Sequence, residues 1–430
     1  MRPHIFRARN FAFGLCAASL VMASKSSAQE AVTTLAGSVL TSGSVDGPAA
    51  SALFGDPTGL AMDASGNIYI TDNQNNTIRK LSAAGQVTTI AGRAGQMGSA
   101  DGVGTNALFN GPSGIAIAAN GVLYVTDTGN NTIRAISTSG AVTTIAGLAG
   151  EVGATNNVGS LARFSSPLGI ALDASGTIYV ADSGNHLIRK VTSAGAVTTF
   201  AGMAQVWGTA DGAGTNALFN GPVGLAFDAS ANLFVSDSAN HTIRKITSDG
   251  VVTTFAGMAG MDGTADGTGS AARFGKPAEL RMDRNNNLFV VDSFYHTIRE
   301  ISPAGVVTTV AGLGGAGGSA NGLGSGARFF NPYGVVIDHN GNLRISDTYN
   351  EIIRFVYSPI PVTLTQNASG FVINWQAVSG DTYQVQFRDA STGNAWQNLG
   401  SPVTVTGALG SFTDSSTASA QRSYRVKLVQ

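Results

Sequence analysis

Three kinds of residue in this chain have types and spacings that could do chemistry. The first is an acid and a base seven residues apart. Aspartates stand at 72, 127, 182, 237, 292 and 347, and arginines at 79, 134, 189, 244, 299 and 354. A reaction needs its catalytic group once, and this pair occurs six times. It therefore reads as a charge-assisted hydrogen bond bracing a turn. The second is histidine. His186, His241 and His296 share the 55-residue step, and the position is Asn76 and Asn131 in the two earlier copies. One Zn²⁺ needs ligands at about 2 Å, whereas equivalent positions on packed sheets lie roughly 10 Å apart. These histidines read as turn caps or surface groups, not as ligands of a shared metal. The third is the Asp-Gly at 46, 101, 211 and 266, replaced by Asn156 and Asn321 in two copies. A Ca²⁺ loop requires further acids at regular offsets, and none follows. Turn formation explains Asp-Gly better.

The informative chemistry lies where one copy breaks the rule. The segment after each repeated proline begins Gly-apolar-Ala at 59, 114, 169 and 224, but Glu279 and Arg281 replace the Gly and the Ala in the fifth copy. The same copy carries Phe294 and Tyr295 where others read Gly-Asn, and the sixth adds Tyr333 and Tyr349. Two charges beside aromatics are the makings of a recognition patch. A local Glu–Arg pair with space-filling aromatics is the alternative.

What must position these residues is a repeat. Prolines at 57, 112, 167, 222, 277 and 332 keep the 55-residue step without insertion or deletion. Copy three reads FSSPLGIALDASGTIYVADSGNHLIRKVTSAGAVTTFAG over 164–202. It holds four short alternating or β-branched runs separated by ASG, SGNH and SAG turns. Each unit is thus an antiparallel four-stranded meander, A to D. One such sheet cannot bury both faces, and radial stacking of six does.

The string P-x-G-(I/L)-A-x-D-x-x-G-x-(I/L)-Y-(V/I)-x-D-x-x-N-x-x-I-R-K resembles the NHL repeat over residues 54–356. The resemblance implies a six-bladed β-propeller. The inter-copy phrase DGxGxxALF is similar to that of exported bacterial NHL proteins and of the teneurin NHL region. The fold expected is all-β, with the propeller over 29–358. VTTxAG ends copies one to five, at 87, 142, 197, 252 and 307, but copy six lacks it. VTTLAG at 32–37 stands one period before the first of these. It is the expected fourth strand of blade six, and would close the ring and remove two exposed edges. Val362-Thr363-Leu364 is the rival for that slot.

Composition agrees with short strands and tight turns: 56 Gly, 43% hydrophobic residues and 12% charged. Arg2, Arg7 and Arg9, the apolar run 11–23 and Ser26-Ser27-Ala28 form a signal-peptide pattern over 1–28. The protein is expected to be secreted or periplasmic. Cys16 lies in that run and is the single cysteine, so the mature chain has no disulfide. Removing the leader takes the net charge from −1 to about −5, which disfavours a nucleic-acid or anionic-membrane partner. Residues 359–430 lose the period. Alternating runs such as FVINWQAV and TYQVQFRD suggest a small antiparallel β-sandwich with Trp375 and Tyr383 in its core. It resembles fibronectin type III-like modules and would follow a short Pro359-Ile360-Pro361 linker.

In the meander, the start of A, the B–C loop and the D–A loop share one face. The D–A connections run to about twenty residues, above the usual loop length, so any binding face is this one. Glu279, Phe294, Tyr295 and Tyr349 are placed there, the two charges Glu279 and Arg281 being near the axis, and Tyr333 joins the candidate patch. With no cofactor expected, the leading function is an exported, non-catalytic binding or scaffold protein for a protein, peptide or glycan. The alternative rests on resemblance: a propeller enzyme, lyase or lactonase-like hydrolase, with a metal at the axis.

Overall fold

The computed structural model describes residues 30–358, 362–367, 370–377, 380, 382–389, 393–415 and 422–429. The signal-peptide stretch 1–28 and the linker 359–361 lie outside the described residues.

Six sheets of the meander type follow one another along residues 31–357. Blade three has A at Pro167–Leu172, B at Ile178–Asp182, C at Leu187–Val191 and D at Val197–Ala201. The other five add a two-residue strand from the preceding long loop, such as Gly102–Val103 against Ala141–Ala146. The chain forms strands here because its β-branched runs alternate and because glycine or αL residues punctuate them. B–C loops end on a left-handed residue: Asn76, Asn131, His186, His241, His296 and Glu351 have φ of 57–62°.

Blade six takes Val335–Ile337, Leu343–Asp347 and Ile352–Tyr357 from its own repeat. Its outer strand is Ala31–Ala36, antiparallel to Ile352–Tyr357 with Val32 opposite Val356 and Ala36 opposite Ile353. Val362–Asn367 pairs instead with Gly370–Gln376.

The cores lie between neighbouring blades. Between three and four, Tyr179, Ile188 and Ala201 meet Phe219, Leu225 and Val235. The same packing recurs between six and one, where Ala36, Val336 and Ile353 meet Phe54, Leu60 and Ile70. The largest fully buried side chains are six arginines and six phenylalanines, one of each per repeat. Arg79 shows the pattern. Its Nη1 donates to Asp72 at 2.6 Å and to the Leu53 carbonyl, and its Nη2 donates to Asp46 at 2.7 Å and to the Val45 carbonyl. Phe54 lies under the guanidinium, 5.3 Å away. Each buried phenylalanine contributes about 2–3 kcal/mol, and each arginine is tolerated only because acceptors surround it, four in every blade but the fifth, where Arg299 has three. The Asp-Gly aspartates thus do more than form turns: Asp46, Asp101, Asp211 and Asp266 are second carboxylates for the buried arginines.

Beyond residue 358, the described strands form two antiparallel sheets. Val362–Asn367, Gly370–Gln376 and Leu409–Asp414 make one, and Thr382–Asp389 pairs with Gly393–Asn398, Val403–Thr404 and Arg422–Val429 in the other. Trp375 and Tyr383 are buried among Ile373, Val385 and Val426.

Candidate functional site

Strand A is innermost, and its second residue after proline is glycine in five blades. A Cβ built on Gly59, Gly114, Gly169, Gly224 or Gly334 would come within 1.9–2.2 Å of a carbonyl oxygen in the next blade. Glu279 occupies this position in blade five, where its N–H donates to the Tyr333 carbonyl at 3.2 Å. Strand A of blade six is correspondingly short, three residues against six.

Glu279 therefore does not join a surface patch as the sequence predicts. It is 1% exposed. Its Oε2 has no hydrogen-bond partner among the described residues, and Arg281 Nη1 lies 3.6 Å from it. Burial pushes the carboxyl up to about 7, against the pull of Arg281. The face argument fails for Glu279 because its side chain is buried beside Arg281 and not set among the loops at the strand's end.

Arg281 and Tyr333 reach across the axis from opposite ends. Tyr333 lies just before strand A on the long-loop side, and its hydroxyl lies 3.3 Å from Ser113 Oγ in blade two. Burial raises the Tyr333 hydroxyl well above its ordinary range. Arg281 ends strand A on the short-turn side, where Nη2 donates to the Leu60 carbonyl of blade one at 2.9 Å. It lines a depression of about 320 Å³ together with Ala61, Ala116, Ala171 and Ala226. The polar trio is thus an axial group, separate from the aromatics.

The aromatics do share the long-loop face. Phe294 is 52% exposed and Tyr349 49%. Phe294 packs edge-on to Tyr295, and Phe330 bridges His296 and Tyr349 at centroid distances of 5.6 and 5.5 Å. Tyr295 Oη donates to Asp262 Oδ2 at 2.7 Å, and that bond holds the hydroxyl proton more tightly than usual. Tyr295 has a cost. Its counterparts Asn75, Asn130, Asn185, Asn240 and Asn350 each donate to the buried aspartate at 2.7–2.9 Å. Without that donor, Asp292 turns toward the Gly275 and Lys276 amides, and Arg299 stands 3.8 Å off.

Sequence reasoning missed Phe330, although it follows the repeated phenylalanine where other blades carry Gly, Asn or Ser. It also missed the apolar crests of the preceding blades on this face: Met97, Val152 and Trp207 are 71%, 66% and 67% exposed at equivalent positions. The histidines are turn caps that link blades. His186 Nδ1 accepts from Gly221 N–H and His296 Nδ1 from Asn331 N–H, as Asn76 does from Gly111 and Glu351 from Asp56. Among the described residues, no group of three His, Cys, Asp or Glu is placed to hold a metal.

Comparison with known proteins gives the same architecture. The NHL repeat model matches residues 54–81, 109–136 and 164–191. Human NHL repeat-containing protein 2 is 29% identical over 313 residues, 63% of this chain and 43% of that protein. Mouse teneurin-3 is 31% identical over 157 residues, 32% of this chain and 6% of that protein. The chain spans less than half the length of these relatives. Among solved structures, a Bacteroides thetaiotaomicron protein of unknown function superposes with a TM-score of 0.60 at 24% identity, over 76% of each chain. An auxiliary nutrient binding protein from the same species gives 0.59 at 19%, over 77% of each.

Proposed function

This chain carries NHL repeats on a six-bladed β-propeller, and from that premise we propose that it is an exported, non-catalytic binding protein. Its long-loop face, centred on blades five and six, engages a protein, peptide or glycan of the cell envelope or exterior. The observation that carries this reading is two edge-on aromatic pairs on that face, Phe294 with Tyr295 and Phe330 with Tyr349, of which Phe294, Phe330 and Tyr349 are exposed. Aromatic anchors of this kind supply much of the energy of recognition surfaces. Blade five gives up a regular asparagine to place Tyr295 there, which a purely architectural blade has no reason to do. A binding role also accords with a structural neighbour, an auxiliary nutrient binding protein. The basic and apolar leader pattern supports export, and the fibronectin type III-like segment would act as a spacer or second module.

The test is affinity capture from the cell envelope with the full mature chain and with a Phe294→Ser, Tyr349→Ser double variant. Both side chains are about half exposed, so the fold should tolerate their loss. Depletion of specific partners by the double variant is expected. Capture of the same partners at the same yield would show that the face is not the binding surface.

A further inference from the structure

The opposite, short-turn face carries a second break in the repeat. Three equivalent positions are uniform in blades one to four and become basic in five or six. The end of strand A is Ala61, Ala116, Ala171 and Ala226, then Arg281. The first residue after the A–B turn aspartate or its equivalent is Ala64, Ala119, Ala174 and Ala229, then Arg284 and His339. The middle of strand B is aromatic from Tyr69 to Phe289, then Arg344. These four side chains come from two adjacent blades and converge on one side of the axial mouth. They border two depressions of about 320 and 430 Å³ that share Met62 and Ile337. Such volumes suit a small ligand.

Of the four, Arg281 has a local acid in Glu279, 3.6 Å away, and a carbonyl in Leu60 at 2.9 Å. Asp63, Asp283 and Asp338 lie on the same face, but each accepts amide N–H bonds within its own A–B turn. Such an aspartate also stands in blades three and four, so the acids are part of the repeat and the cations are not. Asp338 additionally takes Arg344 Nη2 at 3.2 Å. Arg344 Nη1 is buried with no hydrogen-bond partner among the described residues, its guanidinium 4.0 Å from the Phe355 ring. Arg284 and His339 are exposed. The axial depression itself is floored by the alanines and by Ile117, Leu172 and Phe227.

We infer that this cleft binds a small molecule with an oxyanion head and a short apolar body: the body sits over the alanine ring, and Arg281 and Arg284 take the head. A planar guanidinium matches a carboxylate or a sulfonate; Arg281 would meet it from its place beside Glu279 and the Leu60 carbonyl, and Arg284 from its exposed turn. The site is separate from the aromatic face, so each can fail independently of the other.

Titration calorimetry of the full mature chain with octanoate, octanesulfonate and octanol tests it. Saturable binding of either anion is expected, with octanol at least about tenfold weaker, the equivalent of one charge-assisted contact. If only one anion binds, the head is that oxyanion. Arg284→Gln should weaken binding by roughly tenfold, Arg284→Lys should recover part of it, and Phe294→Ser on the other face should change nothing. Arg284 lies on an exposed turn, so its substitution should leave the melting temperature in place. Absence of saturable binding, equal binding of octanol, or an Arg284→Gln variant that binds like the parent would overturn the inference.

Discussion

In blades one to four the buried aspartate and arginine sit 2.6–2.9 Å apart, a glycine packs against the next blade, and the A–B turns carry alanine. In blades five and six nearly every one of these rules is broken somewhere. The pair opens to 3.8 Å in blade five, Glu279 replaces the glycine, and arginine or histidine replaces the alanine. Blade six borrows its outer strand from the chain's start. Both regions use the same 55-residue plan, so the difference is not one of fold. The departures gather in one sector, the one in which both proposed sites lie.

The largest test of that division removes the borrowed strand. Val32 and Ala36 are each 1% exposed between blades. Deleting Ala31–Ala36 should cost on the order of 5 kcal/mol, from lost burial and ladder hydrogen bonds. Urea denaturation of the truncated and intact mature chains measures it. Equal midpoints would mean that blade six is no more dependent on a remote strand than its neighbours.

Next come the arginines. Arg189→Ala removes the counter-charge of Asp182, buried at 0% exposure, and should cost about 3–5 kcal/mol. Arg299→Ala should cost less, because Arg299 stands 3.8 Å from Asp292, against 2.6 Å between Arg189 and Asp182. Equal losses would erase the distinction between regular and irregular blades at this position.

Glu279 should give the sector a pH signature. Its carboxyl titrates at about 7 when folded, above the ordinary 4.5. The folded state therefore holds the proton more tightly than the unfolded state. Its contribution is most favourable at low pH and declines as pH rises from about 4.5 to 7, by up to about 3 kcal/mol. Stability measured at pH 5 and pH 8 should differ in the parent, and Glu279→Gln should reduce the difference, leaving the share of Glu351, Asp72 and Asp237, whose carboxyls burial also raises. A parent and variant with parallel profiles would show that the carboxylate is not under strain.

The smallest effect is a gain. Tyr295→Asn restores the missing donor to Asp292 and should stabilise blade five by about 1 kcal/mol. No gain would mean that the Tyr295–Asp262 bond already compensates.

The repeat was legible because its spacing never slips: prolines, aspartates and arginines at a constant step specify six meanders, and the turns specify their ends. The place for the N-terminal strand followed from the same arithmetic. The candidate site was legible only in part. Phe294, Tyr295 and Tyr349 were found as departures from Gly-Asn loops, and they do lie on one face. Glu279 was found but misplaced, because sequence spacing tells which side of a strand a residue is on and not that the next blade's carbonyl approaches within a Cβ's reach. Arg284, His339 and Arg344 were equally visible as departures at the same step. They were overlooked because attention went to the face with long loops, although short turns can also carry charge.

One feature bears on how the molecule is made. Thr34 hydrogen-bonds Asn321 across 287 residues. At roughly 5–20 residues per second of synthesis, the first strand waits tens of seconds for the sheet it belongs to. During that time five repeats can order by local pairing, one after another, with an unpaired edge at the growing end. The final pairing is then a bimolecular-like search within one chain, limited by the loop that separates its halves. A six-repeat protein of this kind has a fast, local assembly phase and one late, long-range step, and that step is where misassembly between two chains has its opening.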